Sequence, residues 1–169
     1  LDRPVSGIVL FAKTSKALAR LNEMLRNHEI KKTYWAITKN RPPQPEMLLE
    51  HYLLRNEKQN KSYAYNAPKG DAKKATLGLK EIASSTNYTL LEIDLQTGRH
   101  HQIRCQLAQI GCPIKGDLKY GFARSNKDGG ISLHARKIEF THPISKQNIC
   151  LVAPVPADDN LWQEFERLA

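Results

Sequence analysis

The chain has 169 residues, of which 40% are hydrophobic and 25% charged, a composition typical of one globular domain with an ordinary core. No apolar run approaches the ~18 residues of a membrane-spanning helix. The three cysteines show no C-x-x-C spacing, which argues against a disulfide framework and favours a reducing compartment, so we expect a cytoplasmic protein. His101, Cys105 and Cys112 lack the paired spacing of zinc ligands, and we expect no metal.

Charge is divided unevenly along the chain. Residues 1–80 hold 16 basic and 7 acidic side chains and carry the whole net charge of +9, whereas residues 81–169 hold 10 of each. A basic half beside a neutral half indicates one face presented to a polyanion. Solubility alone is the alternative interpretation of this charge.

Hydrophobic periodicity and turn residues predict twelve segments. In chain order they are a buried strand over 7–12, a helix capped by Thr14 or Ser15, a strand over 31–38, a strand over 48–54, an exposed hairpin or loop over 56–74, strands over 76–82 and 88–95, a helix over 99–110 ended by Gly111, a loop over 117–130, strands over 133–140 and 149–152, and a helix over 158–168.

The predicted strands outnumber the helices and do not alternate regularly with them. This pattern predicts an α+β fold with a mixed, mostly antiparallel central sheet flanked by helices and loops. No linker or internal repeat divides the chain, so residues 1–169 are predicted to form one domain. Within the strand over 31–38, alternation places Trp35 and Ile37 on one face and Lys32 and Tyr34 on the other.

Two local patterns contain candidate functional residues. Residues 96–104 end a strand, turn at a glycine and begin a helix, where unpaired N–H groups, Arg99 and His101 suit a phosphate. Arg104 flanks the apolar stripe of that helix, so it is either a packing residue or a half-buried cation that needs a carboxylate or carbonyl partner. Asp2 precedes a proline-containing turn and by itself is typical of a turn-capping residue.

Five motifs occur in a fixed order along the whole chain and closely resemble those of the RluA family of RNA pseudouridine synthases. They are Leu-Asp-Arg-x-x-Ser-Gly (1–7), Lys-Lys-x-Tyr-x-Ala (31–36), Thr-Gly-Arg-x-His-Gln-Ile-Arg (97–104), Pro-Ile-x-Gly-Asp-x-x-Tyr-Gly (113–121), and Leu-His-Ala followed by Phe-x-His-Pro (133–143).

The resemblance implies the pseudouridine synthase fold and an enzyme that isomerises selected uridines in RNA to pseudouridine, without metal, nucleotide or flavin. The C1′–N1 bond breaks, the uracil rotates, and it rejoins the sugar through C5. By motif position, Asp2 corresponds to the catalytic aspartate, Tyr34 to a tyrosine against the target base, and Arg104 to the partner of that aspartate. Whether Asp2 attacks C1′ or takes a sugar proton stays open.

The resemblance also implies an RNA substrate, ribosomal RNA first and transfer RNA as the other possibility. The uridine must leave its stack, so a loop or an end is the expected target. We expect no membrane or obligate protein partner, and a monomer by default. The expected substrate-binding residues are Arg3, Arg99, His101, Gln102, Leu133 and His134, and the expected backbone contacts are Lys31, Lys32, Lys58, Lys61, Lys73 and Lys74.

The resemblance is incomplete at the first motif, which in the family begins with His-Arg before the position of Leu1. We therefore expect the 169 residues to be the C-terminal piece of a longer polypeptide, since an aspartate beside a free end would be poorly anchored. Two other functions are weighed. A catalytically silent RNA-binding or ribosome-assembly module would share the fold, and a glycosidase would need a second acid opposite Asp2, which no motif supplies.

Overall fold

One eight-stranded sheet organises the chain, and the computed structural model describes all 169 residues. The strand order is β1-β7-β2-β6-β5-β3-β4, with β8 also paired to β7. Only β1 and β7 run parallel, so the predicted α+β fold with a mostly antiparallel sheet is confirmed. The strands are β1 (Ser6–Gly7), β2 (Lys31–Thr38), β3 (Glu46–Asn56), β4 (Lys61–Tyr65), β5 (Lys73–Ser84), β6 (Thr89–Leu95), β7 (Leu133–Thr141) and β8 (Asn148–Val152).

Two helices cover opposite faces of this sheet. On one face, α2 (Gln102–Gln109) packs into a cluster with Ala36, whereas on the other, α3 (Asn160–Leu168) packs against Trp35 and Ile37. The predicted alternation of side chains along β2 is confirmed, since neighbouring residues of this strand belong to different clusters. No helix of the structure combines the length and apolar character needed to cross a bilayer.

The helix α1 (Ser15–Arg26) begins where its cap was predicted but packs against little. The Thr14 hydroxyl accepts a hydrogen bond from the Ala17 N–H at 3.1 Å, which is a standard N-cap. None of the twelve helical residues is buried, and Leu18 and Leu25 of the apolar stripe are 52% and 43% exposed. Local capping rather than core packing therefore defines this helix.

The predicted buried strand over 7–12 is wrong beyond its first residue. Pairing of β1 with β7 ends at the hydrogen bond from the Ile8 N–H to the Ala135 carbonyl, and Phe11 is 82% exposed. The reason is competition for one strand edge, because β8 pairs with β7 from Lys137 onward. Gly7 has a φ of +112°, and a Cβ there would lie 2.3 Å from the Ala135 oxygen, so only glycine fits at this crossing.

The helix predicted over 99–110 is shorter at its start. His101, with a φ of 52°, is the N-cap, and the helix runs only from Gln102 to Gln109. The Gln102 side chain accepts from the Arg99 N–H at 3.0 Å, which stabilises a turn where the pattern predicted helix. Gly111, predicted to end the helix, follows it with a φ of +80°.

Two adjacent leucines of β3 test the assignment of the core. Leu49 is 4% exposed in the cluster beneath α2, whereas Leu48 points away from it and is 61% exposed. We expect Leu49→Ala to lower the free energy of unfolding by about 2–5 kcal/mol, because it leaves a cavity. Leu48→Ala should change it by less than about 0.5 kcal/mol. Urea denaturation of both variants measures the difference, and equal losses would contradict the assignment of sheet faces.

Candidate active site

An open cleft of about 340 Å³ lies at the end of the sheet where β2 begins and β6 ends. Its walls come from Leu1, Asp2 and Val5, from the start of β2, from the segment after β6 and from Leu133 at the start of β7. Antiparallel pairing brings the start of β2 beside the end of β6, because Lys32 of β2 lies opposite Leu95 of β6. The volume falls within the range of roughly 300–1,000 Å³ typical of small-molecule sites. Four motifs that are far apart in the sequence thus share one cavity.

Asp2 closes a turn with its backbone and faces the cleft with its side chain. Its carbonyl accepts from the Val5 N–H at 3.0 Å, which agrees with a turn residue. Its carboxylate, 31% exposed, does not cap that turn. Oδ2 lies 3.5 Å from Nη1 of Arg104 and 3.8 Å from Nε2 of His101. The structure therefore brings Asp2 and Arg104 together, as the resemblance implied.

The main partner of Arg104, however, is Asp117. Nε and Nη2 of Arg104 donate to the two Asp117 carboxylate oxygens at 2.8 and 2.9 Å, a bidentate pair whose side chains are 7% and 1% exposed. Burial lowers the pKa of Arg104, but the bonds and charge of Asp117 and the charge of Asp2 outweigh this effect and raise it. Sequence reasoning missed Asp117, although its place in the 113–121 motif is a usable signal.

Tyr120 and His101 form a second buried contact behind Asp2. Nδ1 of His101 lies 2.8 Å from the Tyr120 hydroxyl, which accepts from the Ser62 N–H at 2.9 Å. Burial lowers the pKa of His101 to about 4, against the opposing charge of Asp2, so its ring is neutral at neutral pH. Burial raises the pKa of Tyr120 to about 12. Sequence reasoning assigned His101 to substrate and gave Tyr120 no role.

Tyr34 lies in the wall of the cleft, where its side chain packs against the core cluster beneath α2. The pairing of β2 with β7 shifts register between Thr33 and Tyr34, and irregularities of this kind re-aim a side chain. Burial raises the pKa of Tyr34, and the charge of Asp2 raises it further. The phenol is therefore protonated at neutral pH and lies within electrostatic reach of the carboxylate.

Lys32, predicted only as a backbone contact, also lines the cleft, and its ammonium nitrogen lies beside Gly98. Burial lowers its pKa, and no carboxylate forms an ion pair with it. A cation held without a partner in a cleft is suited to an anionic ligand.

Two predicted substrate-binding residues of the 97–104 motif, Gln102 and Arg99, also make hydrogen bonds within the fold. The Gln102 amide accepts from the Thr97 hydroxyl at 2.7 Å and donates to the Thr76 carbonyl at 3.1 Å. Arg99 donates through Nε to the Lys74 carbonyl at 3.0 Å but stays exposed, so its other N–H groups are available to a ligand.

The remaining predicted substrate residues divide between the cleft and other surfaces. Leu133 lines the cleft, whereas Arg3 is exposed beside it and is not part of its wall. The placement of His134 in the site is wrong, because strand alternation turns its ring to the opposite face, against Trp162. There its nitrogens bond the Ser6 hydroxyl at 2.8 Å and the Ala153 carbonyl at 3.2 Å.

The predicted backbone-contact lysines share one end of the sheet with the cleft. This end holds the starts of β2, β4 and β5, which antiparallel pairing places beside the ends of β3 and β6. The lysines are Lys31 and Lys32 on β2, Lys58 in the turn between β3 and β4, Lys61 on β4, and Lys73 and Lys74 on β5. The basic residues therefore flank the cleft.

The cysteines and histidines form no metal centre, since no three His, Cys, Asp or Glu side chains are grouped to hold an ion. All three cysteines are free, and Cys105 and Cys112 are buried. Burial raises the pKa of Cys105 to about 11, so its thiol is protonated and inert.

Comparisons with known proteins identify the family of the chain. Residues 1–109 match the family model described as RNA pseudouridylate synthase. The tRNA pseudouridine synthase C of Vibrio vulnificus is 31% identical over 99% of this chain and 74% of its own length. The ribosomal large subunit pseudouridine synthase C of Buchnera aphidicola is 36% identical over 92% of this chain and 51% of its own length. The solved human RNA pseudouridylate synthase domain containing 4 has the same fold, with a TM-score of 0.79 over all of this chain and 74% of its own, at 21% identity.

Fold, cleft and sequence matches together define an RNA-modifying isomerase. The chain belongs to the RNA pseudouridylate synthase family, of the RluA type, and is a pseudouridine synthase. The resemblance drawn from the five motifs is thereby confirmed.

Removing one partner of the buried ion pair between Arg104 and Asp117 should destabilise the folded protein. We expect Asp117→Ala to lower the free energy of unfolding by about 3–5 kcal/mol, because it leaves the Arg104 charge buried without its counter-ion. The matched control is Glu50→Ala, which breaks an ion pair with Lys74 whose side chains are 52% and 56% exposed. That loss should stay below about 1 kcal/mol. Denaturant titration compares the two, and a small effect of Asp117→Ala would show that Arg104 does not depend on it.

Proposed function

We propose that this chain isomerises a uridine flipped out of an RNA strand, with Asp2, Tyr34 and Arg104 acting on it in the cleft. The observation that carries the proposal is the carboxylate of Asp2, which faces the cleft 3.5 Å from a buried arginine. An arginine whose other side is held by Asp117 cannot move away, so it keeps the carboxylate aimed into the cleft.

Two reaction routes fit this geometry. In one, an Asp2 oxygen forms a bond to C1′ as the C1′–N1 bond breaks, and the electron pair leaves with the uracil as an anion. In the other, Asp2 removes a sugar proton and the same bond breaks by elimination. In both routes uracil C5 then bonds to C1′: the Asp2–C1′ bond breaks in the first, and Asp2 returns its proton to the sugar in the second. The C5 proton is finally lost to solvent, and both routes require a deprotonated, positioned carboxylate.

The proposed role of Tyr34 is to stack on the flipped base. Its ring lies in the cleft wall, and its raised pKa keeps the phenol protonated at neutral pH. A protonated phenol is a hydrogen-bond donor and a poor base. Stacking on a single base is worth about 1–3 kcal/mol, enough to hold uracil while its bond to the sugar is broken.

The lysines around the cleft are proposed to hold the RNA backbone, with Arg3 and Arg99 nearest the reacting nucleotide. These lysines flank the cavity at one end of the single sheet. We regard residues 1–169, which this sheet organises, as one catalytic domain. Neutralising phosphates releases counter-ions, so affinity should fall as salt rises. Lys32, desolvated in the cleft wall, is suited to the phosphate or the leaving uracil anion.

The proposed substrate is ribosomal RNA, with transfer RNA as the second candidate. The Buchnera aphidicola relative named for the large ribosomal subunit has 36% identity, whereas the Vibrio relatives named for tRNA align over a larger share of their own length. Three free cysteines agree with a reducing compartment, and we place the protein in the cytoplasm.

Neither other function gains support from the site. A glycosidase needs a second carboxyl group across the cleft, and the nearest candidate, Asp117, is buried in its pair with Arg104 and does not line the cavity. A silent RNA-binding module would need no positioned carboxylate, and here nitrogens of Arg104 and His101 lie 3.5 and 3.8 Å from the Asp2 carboxylate.

Tritium release from RNA labelled at uridine C5 tests the reaction. We expect release by the protein and loss of at least about 10³-fold in rate for Asp2→Asn, because an amide is neither a nucleophile nor a base for this chemistry. Asp158→Asn, an exposed aspartate outside the cleft, is the matched control and should keep the full rate. Separate ribosomal and transfer RNA pools identify the substrate. Salt-sensitive binding of both pools without release would favour the silent module.

Substitutions of Tyr34 separate stacking from hydroxyl chemistry. Tyr34→Leu should weaken RNA binding by about 5–150-fold, the equivalent of one lost base stack. Tyr34→Phe keeps the ring and should keep the affinity. Equilibrium binding of both variants makes the comparison, and equal weakening in the two would assign the role to the hydroxyl instead of the ring.

A further inference from the structure

A chain of hydrogen-bonding groups runs from the sheet to the back of Asp2. It begins at the Ser62 N–H, passes through the Tyr120 hydroxyl and ends at the His101 ring. We infer that His101 is a positioning residue, held by Tyr120 in the tautomer that donates to Asp2, and not a contact to RNA. The inference rests on the proposed function of Asp2.

Counting protons along this chain assigns the tautomer of His101. The Tyr120 oxygen accepts from the Ser62 N–H, which can only donate. The single phenol proton then goes to the other neighbour, Nδ1 of His101, at 2.8 Å. An Nδ1 that accepts leaves the proton on Nε2. In the opposite tautomer Nε2 would accept from Nη1 of Arg104, 3.3 Å away, but the phenol proton would have no acceptor and Asp2 would lose one of its two donors.

Two donors then converge on one carboxylate oxygen. Nε2 of His101 lies 3.8 Å and Nη1 of Arg104 3.5 Å from Oδ2 of Asp2, and these two nitrogens are 3.3 Å apart. Both distances to Asp2 exceed a hydrogen bond, and catalytic contacts of this kind commonly shorten when the substrate is bound. Such a pair fixes the direction of the carboxylate better than one donor does.

The His101 ring is held on every side. It stacks on His100 with centroids 3.7 Å apart and meets the Tyr120 ring edge-on. Its backbone is left-handed, which is strained for a residue with a side chain, and its side chain caps no N–H of α2. Contacts of the His101 ring behind Asp2 offset the strained backbone and the missing cap. This is expected of a residue whose side-chain position matters to the site.

Charge supports the same assignment. The ionisable groups around His101 are Asp2, Arg104, His100, Lys119 and Tyr120. Burial keeps His101 neutral above a pKa of about 4, and Tyr120 stays protonated up to about 12. A neutral imidazole orients the carboxylate without adding a second positive charge beside it, so Asp2 keeps its reactivity.

Single-turnover rates on an RNA substrate test the inference. Because a hydrogen bond to a charged group is lost, we expect His101→Leu to slow the reaction about 10–100-fold, and Tyr120→Phe about 10-fold, with the RNA dissociation constant changed less than about 2-fold. His101→Gln, which offers an amide N–H at a similar reach, should recover part of the rate. Tyr88→Phe is the matched control, since no hydrogen bond involves its hydroxyl and it packs on the opposite face, and should keep the full rate.

A second readout is independent of activity. Nitrogen-15 NMR of the His101 ring should show Nε2 protonated and Nδ1 unprotonated in the parent protein, and a mixture in Tyr120→Phe. Protonation at Nδ1 in the parent overturns the inference. So do parent-like rates in both Tyr120→Phe and His101→Leu, or a loss confined to RNA affinity, which would make His101 an RNA contact. If His101→Leu does not fold, the Tyr120→Phe and His101→Gln rates decide.

The two proposals fail in different ways. If the parent protein releases no tritium while NMR finds the assigned tautomer, the proposed action on uridine is wrong and the hydrogen-bonded chain stands. If the parent is active and Asp2→Asn is not, but the tautomer or the rates of the His101 and Tyr120 variants disagree, only the positioning role is wrong.

Discussion

The buried pair of Arg104 and Asp117 is the constraint on which the rest of the site depends. A guanidinium this deep in the protein needs a counter-charge, and a bidentate carboxylate supplies it with fixed geometry. Because two of its nitrogens are occupied, only Nη1 remains to face Asp2. The pair also joins α2 to the loop after it, so the segment that carries His101 cannot shift independently of the loop that carries Tyr120.

Sheet topology explains why such distant residues meet. Antiparallel pairing places the first residues of β2 beside the last residues of β6, and the chain leaving β6 turns directly into the 97–104 motif. The same geometry places the starts of β4 and β5 at that end, with their lysines. One structural rule therefore builds both the reactive cleft and the basic surface around it.

Local chemistry made much of this predictable, and long-range contacts account for most of what was not. The alternation in β2 depends only on neighbours in sequence, and the family motifs pointed to the residues around Asp2. By contrast, the pairing of Arg104 with Asp117, and of His101 with Tyr120, joins segments whose distance in space no periodicity encodes. The prediction of a strand over 8–12 failed for the same reason, because β8 pairs with the edge of β7 that this apolar run would otherwise occupy. His134 was misplaced because a motif gives a position and not a side-chain direction.

The absence of buried residues in α1 has a consequence for how the molecule opens. Regions with few buried contacts separate from the rest at a fraction of the global unfolding free energy, whereas central strands open only with the whole domain. The amides of α1 belong to the first group and those of β6, whose Leu90, Leu91 and Ile93 are fully buried, to the second. The cleft is lined by Leu1, Asp2 and Val5, by β2, β6 and β7 and by the segment that leads into α2, whereas α1 contributes no residue to it, so fraying of α1 leaves its lining in place. The cleft and the helix without buried residues thus belong to separate cooperative units.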